Sequence, residues 1–305
     1  MSGQNDELLL EDEALRDGLQ QEARILNLND KLHLFQLLQG AGVKRIQIGS
    51  FVSPKAVPQM ADTEDLIKAI GEQDKNLLSA LILNEKGLER ALSCGIGHLS
   101  MSVSASDTHS RKNTQMPGAE ALEIMVTLIS YALASGLKVR AGIQCAFGCV
   151  YEGHISEDLV LSAAAKMIQA GALEINLADT TGMATPKSIG SLIARMHREF
   201  PSTKISLHLH DTRGLGLLNM STGYEAGVRY FDVCAGGIGG CPFVKGAAGN
   251  VPTEDAVHMF EAMGVHTDIN IKSICIAVAF LEEKLGRKLP GRMKSVLMSS
   301  GGAIG

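Results

Sequence analysis

The chain has 305 residues, of which 45% are hydrophobic and 20% charged, and its formal net charge is −5 at pH 7. This is the composition of a globular protein with a sizeable core, and the negative charge argues against a nucleic-acid partner, which would require clustered basic residues to meet the phosphates. No apolar run approaches the ~20 residues of a membrane span, and six cysteines are too few for a disulfide scaffold. We therefore expect a cytoplasmic protein with reduced thiols and no membrane partner.

Eight short apolar runs rich in β-branched residues alternate along the chain with longer helical segments. This alternation predicts an α/β protein, and eight units favour a closed (β/α)8 TIM barrel over a doubly wound sheet, which is the alternative. We expect one domain over residues 1–305, in which residues from about 271 onward form an additional C-terminal helix and a tail. The predicted strands are Leu8–Leu10, Arg45–Ile48, Leu77–Leu83, His98–Val103, Lys138–Ile143, Leu173–Leu177, Lys204–Leu209 and Tyr230–Val233. The predicted helices are Asp30–Gln39, Thr63–Glu72, Ala119–Ala134, Glu157–Ala170, Pro186–Glu199, Leu217–Ala226, Thr253–Met263 and Ser273–Leu285.

Polar side chains follow four of the predicted strands at the point where each strand ends. Barrel enzymes build their active sites at the carboxyl ends of the strands, so these residues are expected to share one mouth. An acid at position 179 is also compatible with an ordinary turn. The candidates are Arg16 and Asp17 after the first strand, Asp179 after the sixth, His208 and His210 at the end of the seventh, and Cys241 and Asn250 after the eighth.

His208 and His210 are two residues apart on a predicted strand, so both imidazoles point to the same face of the sheet. Such a pair alone is more often two ordinary hydrogen-bonded histidines than a metal site. Asp17 and Asn250 change this interpretation, because the first, seventh and eighth strands are neighbours in a closed barrel. Two nitrogens and two oxygens suit an octahedral Mg²⁺ or Mn²⁺ ion that keeps two positions open for substrate.

The glycine-rich stretch Gly236–Gly240 follows the eighth predicted strand. No helix opens at its end, so it does not match a dinucleotide-binding loop. Glycines can act as hinges, and Cys241 directly after them is predicted to lie on a mobile loop over the site. The alternative is a thiol packed as a small apolar residue.

Several stretches around these positions resemble the 3-hydroxy-3-methylglutaryl-CoA lyase family of barrel metallolyases. They are RDGLQQE from Arg16, SFVSPKAVPQM from Ser50, HLHDTRGLG from His208 and GGIGGCPFVKGAAGNVPTED from Gly236. The resemblance covers roughly residues 8–285. Its last stretch is highly specific, because it combines a glycine-rich loop, a cysteine and an asparagine.

The resemblance implies a divalent metal site and an arginine that binds the thioester. The ligands that it implies are Asp17, His208, His210 and Asn250, the same set that the strand ends indicate. It also implies that Arg16 polarises the thioester carbonyl and stabilises the developing enolate, as oxyanion-hole donors do.

The implied reaction is the metal-dependent cleavage of a 3-hydroxyacyl-CoA similar to 3-hydroxy-3-methylglutaryl-CoA, giving acetyl-CoA and a keto acid by retro-Claisen chemistry. The resemblance implies acid–base roles for His208, Asp179 and Cys241. It also implies an acyl-CoA substrate, and a homo-oligomer is possible. Three alternatives remain. One is a lyase for a related thioester such as citramalyl-CoA, and another is a Claisen-type synthase that forms the same kind of bond. The third is a non-catalytic barrel that binds a metal or an acyl-CoA, which only Gln47 suggests.

The sequence departs from the family pattern on the second strand and just before the arginine. Gln47 stands where the family has a catalytic-site glutamate, and Glu13-Ala14-Leu15 replaces the usual Val-Gly-Pro. A glutamine can hydrogen-bond but cannot balance a positive charge. We therefore expect Arg16 to keep one uncompensated charge, and we expect Gln47 to alter the acyl preference of the site.

Overall fold

The computed structural model describes residues 7–240 and 249–299. Its strands are β1 (Leu9–Asp12), β2 (Arg45–Ser50), β3 (Leu78–Ile82), β4 (His98–Ser104), β5 (Lys138–Gln144), β6 (Glu174–Ala178), β7 (Lys204–His208) and β8 (Tyr230–Val233). All neighbouring strands are parallel and follow the order of the sequence, and β1 is hydrogen-bonded to both β2 and β8, which closes the sheet. The structure confirms the (β/α)8 TIM barrel over the doubly wound alternative.

Helices follow every strand and surround the barrel. They are α1 (Leu28–Gly40), α2 (Thr63–Ile70), α3 (Glu85–Ser93), α4 (Asp107–Thr114), α5 (Gly118–Ala134), α6 (Glu157–Gln169), α7 (Pro186–Glu199), α8 (Gly216–Glu225), α9 (Thr253–Ala262), α10 (Ile271–Leu285) and α11 (Met293–Ser299). Of the helices in the described residues, none is by itself long and apolar enough to cross a membrane, although α4 and α5, bent by 66° against each other, pass that test as a pair.

An additional C-terminal helix extends the barrel as the sequence predicts. Helix α10 packs on α1, where the rings of His33 and Phe280 meet edge to face with centroids 4.9 Å apart. Helices α3, α4 and α11 were not predicted from the sequence. The assignment of the whole chain to one domain stays a prediction.

The hydrophobic core lies between the sheet and the helices. On β2, Ile46 and Ile48 are buried in the apolar cluster, and Gln47 between them turns the other way to hydrogen-bond Glu13 inside the barrel. Side chains alternate between the two faces of a strand. Apolar residues on one face pack against the helices, and the residues between them point into the barrel interior.

The barrel interior below the mouth contains paired charges rather than the branched apolar layers common in this fold. The guanidinium of Arg140 on β5 contacts Glu11 at 3.0 Å, Glu13 at 2.8 Å and Asp232 at 2.5 Å. Arg45 on β2 contacts Glu11 from the other side at 2.5 Å. Buried charges persist only where opposite charges and hydrogen bonds compensate them, so this network gives the mouth of the barrel a fixed polar floor.

Candidate active site and metal centre

Four of the predicted site residues meet at the carboxyl end of the barrel. Asp17 lies in a π-helical turn, Ala14–Gly18, directly after β1. His208 is the last residue of β7, and His210 forms an isolated antiparallel bridge with Asn250, which follows β8. Closure of the barrel between β1 and β8 therefore brings together residues that are more than 190 positions apart in the sequence, as His208 and Asp17 show.

The side chains of three of these residues converge on one point. The Nε2 atoms of His208 and His210 are 3.1 Å apart, and His210 Nε2 is 4.0 Å from Asp17 Oδ2. Two ring nitrogens that face each other so closely must share a proton or a cation, because two lone pairs repel. Ligands about 2.1 Å from a common octahedral ion are about 3.0 Å apart when adjacent and about 4.2 Å apart when opposite. The donor set therefore fits a divalent ion.

Asn250 lies at the edge of this group. Its Nδ2 donates to Asp17 Oδ2 at 2.7 Å and to the carbonyl of Ile238 at 3.0 Å. These bonds fix the amide beside the proposed ligands and order the Asp17 carboxylate. The role of Asn250 as a ligand stays a prediction.

The charges of the group favour cation binding. Burial acts to raise the pKa of Asp17, but Arg16, His208 and His210 outweigh it, and the pKa is about 2. Burial and the neighbouring His208 lower the pKa of His210 to about 4. At neutral pH the site therefore offers an ionised carboxylate and a neutral imidazole, the forms that bind metal.

The second ring nitrogen of His208 has its own carboxylate partners. His208 Nδ1 is 3.2 Å from Asp232 Oδ2 and 3.5 Å from Glu13 Oε2. Burial opposes protonation of His208, but Asp232, Glu13 and Asp17 together raise its pKa. A histidine that donates through Nδ1 presents Nε2 to a metal in a fixed orientation. Sequence reasoning missed Asp232, although an acid inside the apolar run YFDV was a usable signal.

Arg16 is held by three partners, of which one is on β2 and two are in the segment that follows β1. Its Nε donates to Gln47 Oε1, its Nη1 to Asp17 Oδ1 and its Nη2 to Glu13 Oε2. The expectation that Gln47 leaves Arg16 with an uncompensated charge is therefore wrong, because Glu13 supplies a carboxylate. Within the described residues these acceptors use three of the five guanidinium N–H groups, which leaves two for a substrate oxygen in the cavity that Arg16 lines.

Asp179 is buried at the end of β6 and shapes the turn that follows. Its Oδ1 accepts from the backbone N–H groups of Met183 at 2.7 Å and Ala184 at 3.0 Å. Its Oδ2 is buried and has no hydrogen-bond partner within the described residues. Burial raises the pKa of the carboxyl to about 6. Asp179 thus has a structural role in this turn, and it is not among the described residues that line the cavity. Its acid–base role stays a prediction.

The glycine-rich segment passes directly over the site, and Cys241 lies just outside the described residues. Gly239 has φ of +91°, and a Cβ atom there would lie 2.7 Å from Asn250 Nδ2 and 2.8 Å from the Asp17 carbonyl oxygen. Only glycine fits this close approach. The acid–base role of Cys241 stays a prediction.

A cavity of about 330 Å³ opens above these residues. Its wall includes Arg16, Asp17, His208 and His210, and it extends to Gly240. This volume is at the small end of ligand pockets, so it suits the acyl part of a thioester while a larger carrier group would extend through the mouth.

Known proteins with the same fold share much of this sequence. A family model described as HMGL-like matches residues 7–280. A hydroxymethylglutaryl-CoA lyase of Bacillus subtilis is 38% identical over 93% of this chain and 95% of its own length. The (R)-citramalyl-CoA lyase of Chloroflexus aurantiacus is 38% identical over 92% of this chain and 91% of its own length. An HMG-CoA lyase of Acinetobacter baumannii, solved with coenzyme A and 3-methylmalate, is 35% identical, covers 99% of this chain and 97% of its own, and has a TM-score of 0.90.

Proposed function

This chain belongs to the HMGL-like family, and on that premise we propose that it cleaves 3-hydroxy-3-methylglutaryl-CoA or a close relative to acetyl-CoA and a keto acid. It is a divalent-metal-dependent carbon–carbon lyase. The acyl group, the ion and the roles of individual residues are our proposal. The observation that carries it is the convergence of Asp17, His208 and His210 beside Arg16 in one cavity at the carboxyl ends of the strands.

We propose that Asp17, His208, His210 and Asn250 hold the ion, and that the ion is Mg²⁺ or Mn²⁺, which nitrogen and oxygen ligands suit. When bound, such an ion supplies a Lewis acid that lowers the pKa of a substrate hydroxyl. The protein holds the ligands in place through hydrogen bonds. Asp232 orients His208, and Asp17 is ordered by Arg16 and Asn250. A cytoplasmic location and a homo-oligomeric state stay predictions.

Three residues divide the remaining chemistry. Arg16 donates hydrogen bonds to the thioester oxygen and stabilises the enolate that forms when the C2–C3 bond of the substrate breaks. Asp179 accepts the proton of the 3-hydroxyl group, and the oxygen left behind becomes the ketone of the keto acid, while His208 keeps one ring nitrogen toward the ion and the other toward Asp232. Cys241, the next residue in the sequence after Gly240, gives its thiol proton to the enolate carbon and so completes acetyl-CoA. The thiolate then recovers a proton from the base that took one from the hydroxyl group.

The pH dependence of the reaction is expected to follow Asp179. Its pKa of about 6 means that the carboxylate, the form that accepts a proton, is present above that pH and lost below it. We expect kcat/KM of the wild type to fall about tenfold per pH unit below about pH 6, and Asp179→Asn to lower kcat/KM about 100-fold and remove this acid limb. The pH–rate profiles of both proteins measure this. If the acid limb is unchanged in the variant, Asp179 is not the base and only stabilises the turn that follows β6.

The proposed substrate is tested by acetyl-CoA release from a panel of 3-hydroxyacyl-CoA thioesters with Mg²⁺ or Mn²⁺ present. We expect 3-hydroxy-3-methylglutaryl-CoA to give equal amounts of acetyl-CoA and keto acid. The panel includes (R)-citramalyl-CoA, because its lyase is as similar to this chain as the hydroxymethylglutaryl-CoA lyase. Condensation of acetyl-CoA with each keto acid tests the synthase alternative. No acetyl-CoA from any thioester would refute the proposal.

A further inference from the structure

Glu13 is a fully buried carboxyl group that lines the cavity and has four polar neighbours. Burial raises its pKa to about 7, whereas Arg16, His208 and Arg140 favour its ionised form. Its Oε2 accepts from Arg16 Nη2 and lies 3.5 Å from His208 Nδ1. Its Oε1 accepts from Gln47 Nε2 at 2.9 Å and from Arg140 Nη2 at 2.8 Å. Glu13 therefore connects the arginine proposed to bind the thioester with a proposed metal ligand and with the charged floor of the barrel.

Gln47 is a neutral side chain that contacts both Arg16 and Glu13. Its amide oxygen accepts from Arg16 Nε, and its amide nitrogen donates to Glu13 Oε1 at 2.9 Å and to Ser100 Oγ at 3.2 Å. An amide can accept from a guanidinium and donate to a carboxylate at the same time, whereas a second carboxylate at this place would repel Glu13.

We propose that Glu13 is the positioning carboxylate of Arg16 and that Gln47 is its required neutral partner, so that the site needs one carboxylate and one amide at positions 13 and 47. This inference rests on the proposed function, in which Arg16 meets the thioester oxygen. The guanidinium is held between Glu13 on one side and Asp17 on the other, with Gln47 fixing its Nε edge. Its two remaining donors then keep one orientation toward the cavity.

The position of Arg16 also governs how freely Asp17 can bind a cation. Arg16 now divides its contacts between Glu13 and Asp17. Without the charge on Glu13, Asp17 is the only carboxylate left to the guanidinium within the described residues. Arg16 would then turn toward Asp17 and compete with a cation for the same carboxylate. Loss of the Glu13 charge should therefore weaken metal binding as well as catalysis.

The test exchanges the two groups. Because hydrogen bonds between charged partners are stronger than neutral ones, we expect Glu13→Gln to lower kcat/KM about 100-fold and the Mn²⁺ affinity of the substrate-free protein about tenfold. Gln47→Glu alone should also lower kcat/KM at least about tenfold, because it places two buried carboxylates side by side. The double variant Glu13→Gln/Gln47→Glu has one of each again, and both quantities should return to within about tenfold of wild type.

A matched control removes a different interior carboxylate. Glu174 on β6 contacts Arg45 through both oxygens at 3.2 Å and does not contact Arg16. We expect Glu174→Gln to lower Tm while kcat/KM and Mn²⁺ affinity stay as in the wild type. If Glu174→Gln matches Glu13→Gln in all three measurements, the effect of Glu13 is only structural and the proposal is wrong.

Two further results would overturn the proposal. One is wild-type kcat/KM and Mn²⁺ affinity in Glu13→Gln, and the other is a double variant no better than the weaker single variant. If Glu13→Gln does not fold, the double variant alone tests the proposal, because it has the same number of buried carboxylates as the wild type. Mn²⁺ affinity is measured by electron paramagnetic resonance without substrate. It therefore judges Glu13 even if no thioester of the panel is cleaved, an outcome that would refute only the proposed function.

Discussion

Turnover is expected to fall to background, at least about 10,000-fold, in Asp17→Asn and in His210→Ala, because each variant removes a proposed ligand of the ion that the reaction requires. Asp17 is ionised at neutral pH and its Oδ2 lies 4.0 Å from His210 Nε2. An asparagine keeps the shape of Asp17 but loses its charge. Calorimetric titration of the purified variants with Mg²⁺ and Mn²⁺, together with acetyl-CoA release, measures both effects.

The control is a histidine on the protein surface that is not part of the proposed metal site. His266 is 90% exposed on the surface, and its variant His266→Ala is expected to keep wild-type activity and metal affinity. Removal of metal from the wild type by exhaustive chelation should abolish turnover, and added Mg²⁺ or Mn²⁺ should restore it. Full turnover after chelation, or normal metal binding by Asp17→Asn, would contradict the proposed metal centre.

The strands could be predicted from the sequence because each has a short run with apolar residues that the structure buries. Strand β8 was placed at both ends as the structure has it, and β4 and β5 each extend one residue beyond the prediction. Helix α4 was missed for a physical reason. Its sequence DTHSRKNT has no apolar stripe, so periodicity gave no signal, and the helix starts at a cap in which Ser106 Oγ accepts from the N–H of His109 at 3.1 Å.

The residues of the proposed metal site could be predicted to lie together because each is at or after the end of a strand, and strand ends meet at one mouth in this fold. The partners of Arg16 were harder to predict, because the residue at position 47 does not by itself show which side chains contact it. Side chains alternate along a strand, so Glu11 and Glu13 face the interior together with Gln47 on the neighbouring strand. This alternation was a usable signal. The contact between Glu13 and Arg140 was not predictable in this way, because β1 and β5 are not neighbouring strands and the contact crosses the barrel interior.

Arg16→Gln is expected to lower kcat about 1,000-fold with a much smaller change in KM, because the guanidinium acts on the enolate that appears only as the C2–C3 bond breaks. Three of its donors are fixed by Gln47, Asp17 and Glu13. Its remaining two are thus oriented before substrate binds, and an enolate oxygen gains more from them than a neutral thioester does. Steady-state kinetics with the best thioester of the panel measure this effect.

Arg16→Lys separates charge from geometry. A lysine keeps the positive charge between Glu13 and Asp17 but cannot donate in three fixed directions and still present two donors to the substrate. We expect kcat of Arg16→Lys to lie between wild type and Arg16→Gln, at about 10- to 100-fold below wild type. Mn²⁺ affinity of each variant shows whether the metal site remains intact. Wild-type kcat in Arg16→Gln, with Mn²⁺ binding unchanged, would show that Arg16 does not stabilise the enolate, and the positioning role of Glu13 would then have no substrate contact to serve.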